Sequence, residues 1–282
     1  MEEKIISESL TKDFRHHLAR EERSDSTIEK YVKEILRFAQ WMKGLPVTKE
    51  AVFRWKEYLL KEKFAPATVN VRLAALNSFF DFCGWQDCRV KSLKLQKKMF
   101  RDSSRELSRE EYERLLKAAR DTGKDNLMLI IETICSTGIR VSEIKYITVE
   151  SVGDGKAEIF LKGKIRTILI PNKLCRKLRK FAQKNKITSG EIFLSERGRP
   201  IDRRTIWAAM KSICHEAGVE SSKVFPHNLR HLFAKIYYSE EKDLSRLADI
   251  LGHTNINTTR IYTMESGSVH LRQLDKMNLV IT

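Results

Sequence analysis

The sequence predicts a mainly α-helical protein with a small β-sheet in its C-terminal part, an α+β fold in two domains. Three observations carry that prediction. Apolar residues recur at helical spacing through most of the 282 residues. Strand-like sequence is confined to two segments around a tight Lys162-Gly163-Lys164 turn and one shorter run near residue 192. A charged stretch without apolar periodicity, Lys91 to Arg105, separates one block of helices from the next.

Ser26 followed by Glu29 reads as a capping box, in which each side chain satisfies a backbone donor left free at a helix start. Behind it Ile28, Tyr31, Val32, Ile35, Phe38, Ala39 and Met42 recur at helical spacing, and Gly44 and Pro46 stop the run. A second helix is expected over residues 52–61. A third starts near Pro66, with Val69, Leu73, Leu76, Phe80 and Cys83 on one face, and ends at Gly84. These helices define a first domain over 1–92, with a linker at 93–106 and a second domain over 107–282. Ser108 and Glu111 form another capping box, which turns Tyr112, Leu115, Leu116 and Ala119 inward. Residues 125–135 make a strongly apolar helix that leads into the Thr137-Gly138 break and Arg140. Segments 156–161 and 165–170 read as the two strands. From Pro171 onward the pattern is helical, apart from a short strand at 192–195 and the Gly198-Arg199-Pro200 loop.

A hydrophobic fraction of 41% is enough for packed cores, so wholesale disorder is excluded. The formal net charge of +16 is spread along the chain: 20 Lys and Arg face 14 Asp and Glu in residues 1–100, and 33 face 23 in the rest. Such a balance points to a nucleic-acid partner, with a merely basic soluble protein as the plainer reading. The densest run, 173–186, holds seven cations and no acid, and serves either as a solvated face or as a phosphate contact. Five cysteines without a CxxC, and no signal-like N-terminus, fit a reducing cytoplasm. No apolar run approaches about 18 residues, so no membrane partner is expected.

The chemistry gathers in the second domain. Pro226 sits where a helix would start, and His227 and Arg230 then fall one turn apart on one face. A lone histidine there would be an ordinary polar residue; beside an arginine at i+3 it makes an oxyanion clamp. Residues 244–251 form an amphipathic helix that Gly252 ends as a left-handed cap, and His253 follows at once. Tyr262 comes nine residues later, behind Thr258, Thr259 and Arg260; taken singly it would be a core or interface aromatic. Upstream, Thr137-Gly138-Ile139-Arg140-Val141-Ser142-Glu143 supplies a second arginine. Two arginines, two histidines and a tyrosine, with no metal-ligand set beside them, suit the task of holding a phosphodiester while a tyrosine attacks it.

These boxes, in this order and spacing, resemble the tyrosine recombinase family of phage integrases and Xer-type enzymes. The resemblance is strong over about residues 105–270, while the N-terminal helices resemble the family's core-binding, SAM-like domain in general character. It implies a clamp on double-stranded DNA carrying specific recombination sites. Strands would be cleaved and rejoined through a 3′-phosphotyrosyl intermediate, in DNA integration, excision or resolution, by a homotetramer on synapsed DNA. Tyr262 would be the nucleophile, and Arg140 and Arg230 would offer planar, bidentate donors to the phosphate oxygens as charge builds there. His227 resembles the base-side residue and His253 a donor to the phosphate. The leaving 5′ oxygen takes its proton from a lysine on a β-turn; Lys162 fits that position, with Lys164 as the alternative because the turn is one residue shorter than the common form.

Glu143 would buttress Arg140, and the helix would turn His231 elsewhere, into a structural hydrogen bond. Bond energy kept in the phosphotyrosine link removes any need for ATP, and arginines take the place of a metal, so no cofactor and no metal is expected. After Tyr262, Val269, Leu271, Leu274, Met277 and Leu279 recur at near-helical spacing, for docking either on a neighbouring subunit or on their own domain. A start this close to the core-binding helices would leave little room for an arm-binding domain, an expectation of simple Xer-like sites, a small mobile-element recombinase, or else a truncated chain. Two other readings remain: a type IB topoisomerase that relaxes supercoils without synapsis, and a DNA-binding regulator that has lost its chemistry. The phrasing around Leu251-Gly252-His253 and Tyr262 speaks against the first, and the filled catalytic positions against the second.

Overall fold

Helices α1 (Glu8–Arg20), α2 (Asp25–Met42), α3 (Lys49–Lys61) and α4 (Pro66–Phe82) build the first of two compact units, Met1–Lys97. The computed structural model describes residues 3–95, 103–161, 164–195, 197–262 and 267–277. In α2 the buried residues are Ile28, Val32, Ile35, Phe38 and Met42, the stripe that a 3.6-residue period places on one face. It meets α4, whose Val69, Leu73, Leu76 and Phe80 are buried in turn. The Phe38 and Phe80 rings lie edge to face at 6.4 Å. Each such side chain removed from water contributes about 1.5–3 kcal/mol.

Two expectations for this unit change. Ser26 does not cap α2: the helix begins at Asp25, with Ser24 in the capping position and its hydroxyl 2.9 Å from Thr27 Oγ1. Glu29 is drawn away to Arg15 Nη1 at 2.7 Å, which leaves the box without its second half. Helix α1 is additional. It buries only Thr11, Phe14 and Leu18, an apolar stripe too thin among its charges to announce itself.

The second unit, Lys98–Thr282, is organised around α6 (Asp125–Thr137). Eight of its thirteen residues are buried. Before it, α5 (Arg109–Asp121) starts on the expected box: Glu111 N donates to Ser108 Oγ at 3.1 Å, and Ser108 N to Glu111 Oε2 at 2.8 Å. After it come α7 (Val149–Asp154) and an antiparallel hairpin of β1 (Lys156–Leu161) and β2 (Lys164–Leu169). Then follow α8 (Asn172–Lys184), α9 (Arg203–Lys211), α10 (Pro226–Glu241), α11 (Leu244–Leu251), α12 (Ile256–Thr259) and α13 (Gly267–Lys276). The expected strand at 192–195 is absent. That segment makes only the single bridge of Leu194 with Pro200, where the Gly198-Arg199-Pro200 turn folds it back on itself, and Glu191 just before it bridges Thr148.

The hairpin pairs Ile159 with Arg166 and Ala157 with Ile168. Ala157, Ile159 and Ile168 are buried, while Phe160, Ile165 and Leu169 are more than half exposed. Arg166 therefore stands on the inner face, where strand alternation calls for an apolar side chain. On α8 much of the basic run is engaged within the unit. Lys177 pairs with Glu132, Lys184 with Asp125 at 3.0 Å, and Arg179 donates to the carbonyls of Val152 and Gly153. No described helix is long and apolar enough to cross a membrane. The five cysteines are free thiols, four of them buried.

Candidate active site

The chain gathers three guanidiniums at the C-terminal end of α11. A helix leaves its last carbonyls without intrahelical donors and carries partial negative charge there, so cations are welcome. Arg230, from the buried face of α10, donates through Nη2 to Leu251 O at 2.6 Å and through Nη1 to Gly138 O. It thus ties the end of α11 to the end of α6. Arg140, two residues past the Gly138 cap, donates through Nη2 to Gly252 O at 3.2 Å. Arg166 Nη1, from β2, donates to the same Leu251 carbonyl as Arg230.

Among the described residues, one carboxylate balances these cations. Glu143 is 1% exposed and accepts from Arg140 Nη1 and from Arg140 N, both at 2.8 Å. Its other neighbour is Arg166 Nη2, 3.5 Å from Oε2. Burial and the nearby Arg140 charge bring Arg230 down to about 10, which still leaves it cationic at neutral pH. Both cap glycines are set by this crowding. Gly138 and Gly252 have φ of 65° and 62°, and a Cβ would come within 2.4 Å of Phe233 Cδ1 and of Arg166 Cδ respectively.

His253 is held as a neutral ring. A guanidinium cannot accept, so the 3.1 Å contact from Arg230 Nη2 makes His253 Nε2 the acceptor. The proton then sits on Nδ1 and is donated to Thr259 Oγ1 at 2.8 Å. Burial, reinforced by the Arg230 and Arg140 charges, lowers this histidine to about 4. Tyr262 lies in the 3-10 turn after α12 and is 4% exposed. Its ring stacks on His253 at 6.0 Å and takes the edge of His231 at 4.5 Å. Its hydroxyl faces Arg230 and partly offsets the fall in that residue's pKa.

His231 departs from expectation. At i+4 it shares a helical face with His227, and their Nε2 atoms lie 3.2 Å apart. It is therefore turned toward the cluster and onto Tyr262. Arg140, Arg230 and His227 line one cavity of about 650 Å³, together with Arg203, Arg204 and the exposed Trp207 of α9. Lys162 lies outside the described residues, as does the side chain of Lys164. Arg166 and His231 are the two residues of the cluster that sequence reasoning left out. The signal for Arg166 was a cation at an inward strand position, and for His231 the i+4 spacing from His227.

Residues 105–267 match the Phage integrase family, and residues 11–87 match its N-terminal SAM-like domain. The chain belongs to the phage integrase family. This integrase-family chain is 30% identical to the tyrosine recombinase XerA of Thermococcus kodakarensis, over 94% of its own length and 93% of the relative. It is 26% identical to the tyrosine recombinase XerD of Vibrio cholerae, over 85% and 86% of the two chains. Among solved structures it superposes on the XerH site-specific recombinase bound to its difH substrate, with TM-score 0.69, 20% identity and coverage of 92% and 82%. A lambda integrase dimer bound to a COC' core site gives TM-score 0.73 at 17% identity, covering 92% and 77%. At these identities the structural likeness speaks to the fold.

Proposed function

We propose that this chain cleaves and rejoins DNA at specific recombination sites, with Tyr262 as the nucleophile. The observation that carries the reading is Tyr262 packed between His231 and His253 with its hydroxyl at Arg230, beside a cavity that Arg140 and Arg230 share. In that cavity a backbone phosphate meets two guanidiniums that stay charged while it passes through its crowded transition state. Losing one such preorganised donor costs about 10²–10³ in rate. The Tyr262 oxygen attacks phosphorus, the bond to the 5′ oxygen breaks, and a 3′-phosphotyrosyl link forms. The phenolic proton leaves toward the His227–His231 pair, and Lys162, or Lys164 beside it, protonates the departing 5′ oxygen.

His253 acts here by orienting Arg230, with an N–H directed at Thr259; donation to the phosphate would require its Nε2 contact with Arg230 to be exchanged. At 4% exposure Tyr262 would have to be opened to the cavity before it could attack a DNA phosphate, which suits an enzyme that cleaves only when assembled on its site. The partner is double-stranded DNA, gripped by the second unit and by the helices of the first. The working assembly is a homotetramer on two synapsed sites, acting in the cytoplasm in integration, excision or resolution.

A circular plasmid with two copies of the site, taken from the DNA flanking the gene, separates the readings. Recombinant circles are the expected product. Relaxed topoisomers without recombinants would mean a topoisomerase, and binding without either product would mean a regulator on the same scaffold.

A further inference from the structure

Arg166 is a charged side chain in a place built for an apolar one. It stands on the inner face of β2 opposite Ile159, and its side chain is 13% exposed against 42% for Arg140. Cations are seldom buried without a reason. Among the described residues, two of its nitrogens, Nε and Nη2, are buried without a hydrogen-bond partner, a cost that local packing alone does not explain. What the guanidinium does reach is specific. Nη1 donates to Leu251 O, the carbonyl that also receives Arg230, and Nη2 faces Glu143, the carboxylate that holds Arg140. Its stem occupies the space above Gly252, where even a methyl group would collide with it.

We propose that Arg166 is a positioning residue for strand cleavage: it bridges the end of α11 to Glu143 and so fixes Arg140 and Arg230 relative to each other, without itself contacting the phosphate. This rests on the assignment of Arg140 and Arg230 as the phosphate ligands. The arrangement explains why a third cation is tolerated beside two others. With Arg166 in place, Glu143 is shared and cannot swing wholly to Arg140. The Leu251 carbonyl is likewise held between two donors rather than turning with Arg230 alone. Burial lowers the Arg166 pKa and the neighbouring Arg140 charge lowers it further, while the Glu143 carboxylate opposes both.

The test is the single-turnover rate of covalent adduct formation on nicked duplexes tiling the DNA on either side of the gene. Wild type, Arg166→Met, Arg166→Lys, Glu143→Gln and the Arg166→Met/Glu143→Gln double variant are compared at saturating DNA. Rates are taken per DNA-binding-competent molecule, so that loss of folded protein does not count as loss of chemistry. Displacing catalytic groups by about an ångström can cost on the order of a hundredfold. Arg166→Met is therefore expected to slow the adduct at least about tenfold, and Arg166→Lys to do the same, since an ammonium cannot span both partners. The double variant should be no slower than its slower parent, because both act through one bridge. The salt dependence of DNA binding should keep its wild-type slope.

A slope reduced by about 0.9 in Arg166→Met would mean that Arg166 neutralises a phosphate directly, and would overturn the proposal. So would an Arg166→Lys rate within twofold of wild type, or fully multiplicative effects in the double variant. If wild type itself forms no adduct on any duplex, the reading of the site fails and this proposal with it. A wild-type adduct with an unaltered Arg166→Met rate sinks the proposal alone.

Discussion

Glu143→Gln tests whether one buried carboxylate organises the site. Glu143 Oε1 faces Arg140 Nη1, and Oε2 faces both Arg140 N and Arg166 Nη2. An amide keeps one acceptor and replaces the other with a donor, so whichever way it turns, a donor faces an arginine N–H. Breaking a buried ion pair by neutralising one partner costs about 3–5 kcal/mol. Here Arg140 is 42% exposed and water screens its share, while Arg166 at 13% has no such relief. The lower end, about 3 kcal/mol, is the expected loss. For a unit of about 185 residues each kcal/mol moves the midpoint by about 2–4 °C. The second unit's transition should therefore fall by about 6–12 °C in scanning calorimetry of the whole chain. Adding Arg166→Met removes the stranded charge and should restore part of that loss. A shift of less than about 2 °C in Glu143→Gln would refute the account of Glu143 as the counter-charge.

Other perturbations give separate readouts. Folded His253 sits near 4 against an ordinary value near 6.5, so between these pH values the unfolded chain binds a proton that the folded chain refuses. Its contribution to stability is complete above about 6.5 and drains away as pH falls toward 4. Urea midpoints at pH 7 and pH 5 should diverge more for wild type than for His253→Gln, and parallel changes would contradict the neutral, accepting ring. Gly252→Ala combines a left-handed backbone, at about 1–2 kcal/mol, with a methyl 2.4 Å from Arg166 Cδ. It should lower the adduct rate much as Arg166→Met does; a rate within twofold of wild type would mean that Arg166 is not pinned over Gly252.

The parts of the site that were legible are those on strongly periodic elements. Pro226 opens α10 as its sequence suggests, Gly252 caps α11 at φ 62°, and Arg140, Arg230, His253 and Tyr262 come together around that cap. What stayed hidden depended on long-range partners. Nothing local says that Glu29 would be taken by Arg15 across fourteen residues, which removes the Ser26 capping box. Helix α1 depends on only three buried side chains, so its periodicity is carried by the core it joins rather than by its own composition. Arg166 was visible as an interruption in an inward strand row, yet its meaning lies in Leu251 and Glu143, distant in sequence and supplied only by the fold. His231 shows the opposite error. Adjacency to Arg230 suggested a different direction, whereas the i+4 relation to His227 governs the helical face.

The most direct measurement of the central claim is covalent trapping. Wild type and Tyr262→Phe are mixed with nicked suicide duplexes from the DNA flanking the gene, quenched with SDS and separated by size. The account predicts a slow-migrating protein–DNA adduct for wild type, none for Tyr262→Phe, and equal DNA affinity for both. An adduct that persists in Tyr262→Phe would contradict it.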